Sequence, residues 1–254
     1  MKKIYLTVSV FILFILIVNS TNAQNLPNIQ PTGVRAPANI KIDGKPGEWD
    51  KFEAYNKNNN IYYTVANDAD YVYLVVQATD WNTIDKITYG GITFIVKSAD
   101  KKSVVPQVEV TYPVIAMRPG SSMSDKLKKL GTGITETDLS ILNKLVIMND
   151  IHVLGLKEFP DPNLSIYNDV GIKAAGLVGM NRAYTLEFAI ALKYLQPIIG
   201  DSGKLTYSVR LNGMKEPFME FDPVSKRPVT TTNPTLLDFA TPTYFSGTYT
   251  LANK

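Results

Sequence analysis

The sequence predicts a mainly β protein, an immunoglobulin-like two-sheet β-sandwich with a short helical insertion. Three observations carry this reading. Apolar and polar side chains alternate with period two over residues 71–79 and 205–212. Short β-rich runs recur between turn signals from Ile40 to Leu251. Helical spacing is confined to one stretch, about residues 118–150.

The elements follow in order. Ile40-Lys41-Ile42 runs into Asp43-Gly44, a turn dipeptide. Residues 61–66 form a short β run, and Asn67-Asp68-Ala69-Asp70 is a turn. In 71–79, Val72, Leu74, Val76 and Ala78 share one face, with Tyr71, Tyr73, Val75, Gln77 and Thr79 on the other. Residues 87–97 read as a strand interrupted by Gly90-Gly91, which signals a bulge or a close approach by another group. Runs at 104–110, 153–156, 169–174, 184–192, 204–211 and 247–251 complete the β set. In 205–212, Leu205, Tyr207, Val209 and Leu211 face the core; Thr206, Ser208, Arg210 and Asn212 line an exposed face or groove. Within 118–150, Ser124-Asp125 precedes a short helix at 126–130. Thr135 and Asp138 form a capping box before Leu139, Ile141, Leu142 and Leu145.

The N-terminus reads as a secretory signal peptide, residues 1–23. Lys2 and Lys3 precede an apolar run from Val8 to Val18, and Thr21-Asn22-Ala23 places cleavage before Gln24. The mature chain is therefore expected to be exported, with no later membrane span. Residues 24–39 are polar and proline-punctuated, a linker, and 40–254 form one domain. The chain carries 26 Lys and Arg against 23 Asp and Glu. Loss of two leader lysines brings the balance close to neutral, which argues against a nucleic-acid partner. Cysteine is absent, which excludes disulfides, thiolate metal sites and a cysteine nucleophile. The core alone must stabilise the domain.

Ile42-Asp43-Gly44 with Glu48-Trp49 resembles the opening of carbohydrate-binding module family 9 and its DOMON-like relatives. Tyr71-Val72-Tyr73-Leu74 up to Thr79-Asp80, the run Tyr184-Thr185-Leu186-Glu187-Phe188-Ala189-Ile190, and Tyr244-Phe245-Ser246-Gly247-Thr248-Tyr249 are similar to later strands of that family. The likeness covers about residues 40–97 and 184–251. It implies a β-sandwich that grips a glycan or small saccharide between two aromatic rings, with bound calcium in many members. Carried onto this sequence, Trp81 and Phe239 would be the clamp rings, with Arg210 and Asn212 as polar sugar contacts. The chain departs from the family at Tyr89-Gly90-Gly91-Ile92-Thr93-Phe94, where acidic residues are usual, and in having Phe at the second ring.

Each candidate has a structural alternative. Trp81 lies between Asp80 and Asn82, so its indole is either a ligand contact or packed on the insertion. Phe239 is either a clamp or a buried ring. Arg210 is either a ligand contact or half of a surface ion pair. Asp68, Asp70 and Asp80 are either calcium ligands or turn-forming aspartates. Glu187 suits a structural carboxylate better than a general acid. His152 is the only histidine, and no G-x-S-x-G elbow accompanies it. The reading that follows is a non-catalytic glycan-binding domain. A structural or partner-binding surface protein, with the insertion as interface, and a two-carboxylate glycosidase are the alternatives.

Overall fold

A computed structural model describes residues 26–100, 102–114, 122–214, 219–222, 224–230 and 234–253. The expected leader and its cleavage site lie outside the described residues. Among those described, no helix is long and apolar enough to cross a membrane.

In chain order the strands are β1 (Ala54–Asn56), β2 (Ile61–Asn67), β3 (Tyr71–Ala78), β4 (Ile92–Ser98), β5 (Val108–Tyr112), β6 (Asp150–Leu154), β7 (Asn163–Ser165), β8 (Ile172–Val178), β9 (Tyr184–Ala191), β10 (Lys204–Leu211), β11 (Met219–Phe221), β12 (Pro228–Thr230) and β13 (Thr243–Thr250). The helices are α1 (Trp81–Gly90), α2 (Met123–Lys129), α3 (Glu136–Asn143), α4 (Leu192–Ile199) and α5 (Pro234–Ala240). Two antiparallel sheets make the sandwich. One has the order β1-β2-β3-β9-β8 and the other β13-β10-β4-β5-β6-β7, with β11 and β12 as a separate hairpin.

The alternating rows pack between the sheets as expected. Val72, Leu74, Val76, Leu205, Tyr207 and Val209 are fully buried, and Leu211 nearly so. The helices α2 and α3 sit in the expected insertion, and Thr135 with Asp138 forms the expected capping box on α3. Both contribute to the main core through Met123, Leu127, Leu139 and Leu142.

The expected strand at 87–97 begins only at Ile92. Residues 81–90 are instead helix α1, because Asp80 caps it: its Oδ1 accepts from the Thr83 N–H and hydroxyl, both at 2.9 Å. Ile84 and Ile87, three apart, then face the core. The Gly90-Gly91 pair does mark a close approach. A Cβ on Gly90 would lie 1.9 Å from the Gly213 carbonyl oxygen, and Gly91 takes φ +74° at the helix end.

The outer face of the five-stranded sheet is also covered, which blurs the alternation of β3. Trp49, Tyr73, Val75 and Ala189 form a second apolar cluster under the N-terminal segment. Part of the stretch expected as a linker is therefore tied into the fold. Gln30 is 3 % exposed, and its side-chain amide pairs with the Val65 backbone, Nε2 donating to the Val65 carbonyl and Oε1 accepting from the Val65 N–H, both at 2.8 Å. Residues 40–42 form no strand.

Glu187 stands at the centre of this covered face and is fully buried. Its Oε2 accepts the N–H groups of Asp43 at 3.0 Å and Gly44 at 2.8 Å. Its Oε1 accepts the Trp49 indole N–H at 2.8 Å. The Asp43-Gly44 turn, Trp49 and the Glu187 strand, far apart in sequence, thus form one structural unit. Desolvation raises the Glu187 pKa, against the opposing pull of these three donors.

Candidate functional site

The outer face of the six-stranded sheet carries a row of polar side chains, exposed towards its edges and buried at its centre, where Thr93, Ile95 and Ser208 lie. Because Val209 and Leu211 point inward, Arg210 points out. Strand register then fixes its neighbours. Tyr244 lies opposite Arg210, Arg210 opposite Thr93, Thr93 opposite Thr111, Thr111 opposite His152, and His152 opposite Asn163. One row of side chains therefore crosses every strand of the sheet. Glu109 lies on the same face, two residues from Thr111 along β5.

The centre of the row is held by a closed hydrogen-bond network. Arg210 Nε donates to Asn212 Oδ1 at 2.9 Å, and Nη2 meets Glu109 Oε2 at 3.2 Å. Asn212 Nδ2 donates to the Gly90 carbonyl at 3.0 Å, which fixes the amide orientation. Thr93 donates its hydroxyl proton to Asn212 Oδ1 at 2.9 Å, so Thr111 must be the donor in the 2.8 Å Thr93–Thr111 pair. Arg210 Nη1 takes no hydrogen bond among the described residues. At one end of the row Tyr244 is 72 % exposed. Towards the other end, His152 Nδ1 lies 3.2 Å from Asn163 Oδ1. The Asn163 amide nitrogen turns to Asp161 Oδ1, so His152 Nδ1 carries the proton and Nε2 is left as an acceptor. The surface thus combines a free aromatic face, a rigid guanidinium and an imidazole acceptor, and its polar groups are preorganised.

The structure brings Arg210 and Asn212 together but does not seat the two expected rings beside them. Phe239, on α5, is 8 % exposed, with its ring centroid 6.0 Å from that of Tyr89. It meets this region through its backbone: the Met214 N–H donates to the Phe239 carbonyl at 2.8 Å. Trp81 opens α1, whose far end at Gly90 receives Asn212. Nine helical steps separate the two by about 14 Å at ~1.5 Å each. Its half-buried ring packs on the core, with the Lys128 ammonium of α2 6.0 Å from the ring centroid. The insertion-packed alternative thus describes Trp81, and the buried alternative Phe239. A two-ring clamp of these residues is not formed.

The three aspartates are not gathered either. Asp68 Oδ1 accepts the N–H groups of Asp70 and Tyr71, both at 2.7 Å, and Oδ2 accepts the Tyr73 hydroxyl at 2.6 Å. These bonds hold its pKa low against the desolvation that raises it. Asp70 is exposed in the same turn. Asp80 is at the opposite end of β3, about 25 Å away at ~3.3 Å per residue. Among the described residues no group of three or more His, Asp or Glu side chains forms a metal site.

Sequence reading found Arg210 and Asn212 by alternation and missed Tyr244, Glu109, Thr93 and Thr111. Tyr244 was within reach of the same rule, since it alternates with buried Phe245. The others needed the register of β4 and β5 against β10, which period-two patterning does not give. No family model, curated protein or solved structure matches the chain.

Proposed function

We propose that this is an exported, non-catalytic saccharide-binding domain whose platform is the outer face of the six-stranded sheet. The observation that carries the proposal is the exposed Tyr244 ring set directly opposite a guanidinium that Asn212 and Glu109 hold rigid. A sugar ring presents an apolar C–H face and a rim of hydroxyls. Tyr244 offers the stacking face and Arg210 Nη1 a donor for the rim, while His152 Nε2, four strands along the row at ~4.8 Å per strand, would supply an acceptor to a later unit of the same polymer. A flat platform of this kind reads a stretch of polymer and breaks no bond. Affinity rests on a few contacts, each reduced by desolvation and ordering, so dissociation constants in the micromolar to millimolar range are expected.

A glycan array with the purified chain tests this. Tyr244→Ala should lose binding by about tenfold or more, the equivalent of ~1.4 kcal/mol, with an unchanged melting temperature because the ring is exposed. Equal binding by wild type and Tyr244→Ala would remove the platform from the account.

One observation favours a second reading, a partner-binding surface on the insertion. Ile141 and Leu145, four apart on one side of α3 and just beyond it, are 58 % and 40 % exposed. If this patch is an interface, light scattering should show a concentration-dependent mass that Ile141→Lys with Leu145→Lys abolishes. A monomer at all concentrations, unaffected by the double variant, would argue against self-association there.

A further inference from the structure

Three of the four edges of the two large sheets are guarded. The edge strands β1 and β7 are only three residues long. β8 is longer, but side chains tie its backbone at both ends. Asn143 Oδ1 accepts the Val178 N–H at 2.8 Å and Nδ2 donates to the Val178 carbonyl at 3.1 Å, while Asn168 Nδ2 donates to the Ile172 carbonyl at 2.8 Å. Between these ties Ala174 is 5 % exposed. The fourth edge, β13, has eight residues and none of these devices. Its register with β10 runs unbroken from Thr243 to Thr250, and no charged residue occurs from Phe239 to Asn253. We propose that β13 is the interface of a two-fold dimer, in which two copies of this chain join edge to edge as antiparallel strands.

The hydrogen-bond pattern shows which backbone groups are free. The Leu251 N–H donates to the Gly203 carbonyl at 2.9 Å, which makes residues 251 and 203 a bonded pair. Bonded pairs alternate along an antiparallel ladder, so Thr243, Phe245, Gly247 and Tyr249 are tied to β10. The N–H and C=O groups of Tyr244, Ser246, Thr248 and Thr250 therefore point away from the sheet, out of its edge. All four residues are exposed, and the backbone groups of Tyr244, Ser246 and Thr248 take no hydrogen bond among the described residues. Thr250 differs. A Cβ on Gly33 would lie 2.1 Å from its carbonyl oxygen, so the N-terminal segment covers that end of the edge. The free stretch is residues 244–248, centred on Ser246.

A second copy completes this edge in one register. With Ser246 opposite the partner's Ser246, Tyr244 lies opposite the partner's Thr248 and Thr248 opposite the partner's Tyr244. Each of these pairs exchanges two backbone hydrogen bonds. One bonded position further out, Thr250 meets the partner's Pro242, so the covered carbonyl faces a residue with no N–H to give it. That match selects a second copy over an unrelated peptide. An aromatic ring beside a β-branched side chain is a favourable cross-strand pair, and the uncharged stretch sets no like charges against each other. The contact is isologous and uses up the β13 edge of both copies, and the guarded edges take no third, so assembly stops at two. Two six-stranded sheets then become one of twelve strands. The pairing rests on strand geometry alone and holds whether or not the sheet face binds saccharide.

The test is sedimentation velocity of the full chain across the micromolar range. The mass should rise with concentration from one copy to two and no further. Ser246→Pro removes the N–H at the dimer axis, a loss an edge strand tolerates because that group faces solvent in the monomer. Ser246→Lys sets two like charges directly opposite each other at the axis. Each should raise the dimer dissociation constant by about tenfold or more. An equimolar mixture of Ser246→Lys and Ser246→Glu should restore the dimer, because this register places residue 246 against itself. Ile141→Lys with Leu145→Lys should leave it unchanged, which separates the edge from the insertion patch. Amide hydrogen exchange at Tyr244, Ser246 and Thr248 should be slow in the dimer and fast in folded Ser246→Lys. The proposal is overturned if the wild type stays monomeric throughout, if its mass grows past two copies, if folded Ser246→Pro and Ser246→Lys dimerise as wild type does, or if the Lys–Glu mixture does not dimerise. Should Ser246→Pro not fold, Ser246→Lys and its mixture with Ser246→Glu decide the matter.

Discussion

Glu187→Ala is expected to destabilise the domain by about 3 kcal/mol or more, since an unmatched buried donor costs ~1–3 kcal/mol and three are left behind. The donors are the N–H groups of Asp43 and Gly44 and the Trp49 indole. Their loss would free the Asp43-Gly44 turn and with it the apolar cover over Tyr73, Val75 and Ala189. Glu187→Gln keeps one acceptor oxygen and sets an amide against a donor, so a smaller loss of about 1–2 kcal/mol is expected. Acidity separates the two terms. The Glu187 pKa is raised by desolvation, so protonation favours the folded state. The stability linked to this group is present below the ordinary glutamate range and is lost as pH rises through the folded value. Urea unfolding of the three proteins gives the comparison. An Ala variant within ~0.5 kcal/mol of wild type, the spread of ordinary surface substitutions, would show that Glu187 does not anchor the turn.

Alkaline unfolding is expected to be cooperative and steep. Tyr63, Tyr184 and Tyr207 are fully buried, with Tyr112 and Tyr249 almost so. Desolvation is the leading cause that raises the pKa of each, to about 12 at Tyr249. The Tyr184 hydroxyl is fully buried and has no hydrogen-bond partner among the described residues. Tyrosines in the unfolded chain ionise near 10. Below that value these groups are protonated in both states and their stabilising effect is complete. As pH rises past it, only the unfolded chain releases protons, and each buried tyrosine withdraws ~1.4 kcal/mol per pH unit. Several acting together exceed a typical margin of ~5–15 kcal/mol within about two pH units. The phenolate absorbance of the buried rings, in excess of that from exposed tyrosines such as Tyr167 and Tyr244, should therefore appear together with the loss of β-sheet circular dichroism between about pH 10 and 12. Ionisation of the full tyrosine complement near pH 10 in a still folded domain would contradict the packing of these rings.

The fold was largely legible because one face of each key strand is purely apolar. Leu205, Tyr207, Val209 and Leu211 announce β10 without ambiguity, and its polar alternates point to the sheet face. Helix α1 was hidden because Ile84, Ile87 and Thr88 are β-branched and favour strands locally. Its signal lay in Asp80 and Thr83, whose side chains close the first turn. Helix α4 was masked by Pro197 within it. The site was legible only in part. Patterning places Arg210 and Asn212 on a face, whereas their union with Thr93 and Glu109 depends on register between strands distant in sequence. The burial of Phe239 against Tyr89 depends on the packing of α5 against α1, which no local pattern reports.

The central claim is that the outer face of the six-stranded sheet binds saccharide. Backbone and side-chain chemical-shift mapping, with the strongest ligand from a glycan array titrated into the isotope-labelled chain, tests it most directly. The account expects shifts concentrated at Tyr244, Arg210, His152 and Asn163, in one row across the sheet, with the core tyrosines unmoved. Shifts confined to α3 and the turns beside it, or no shift at all at Tyr244 and Arg210 under saturation, would contradict it.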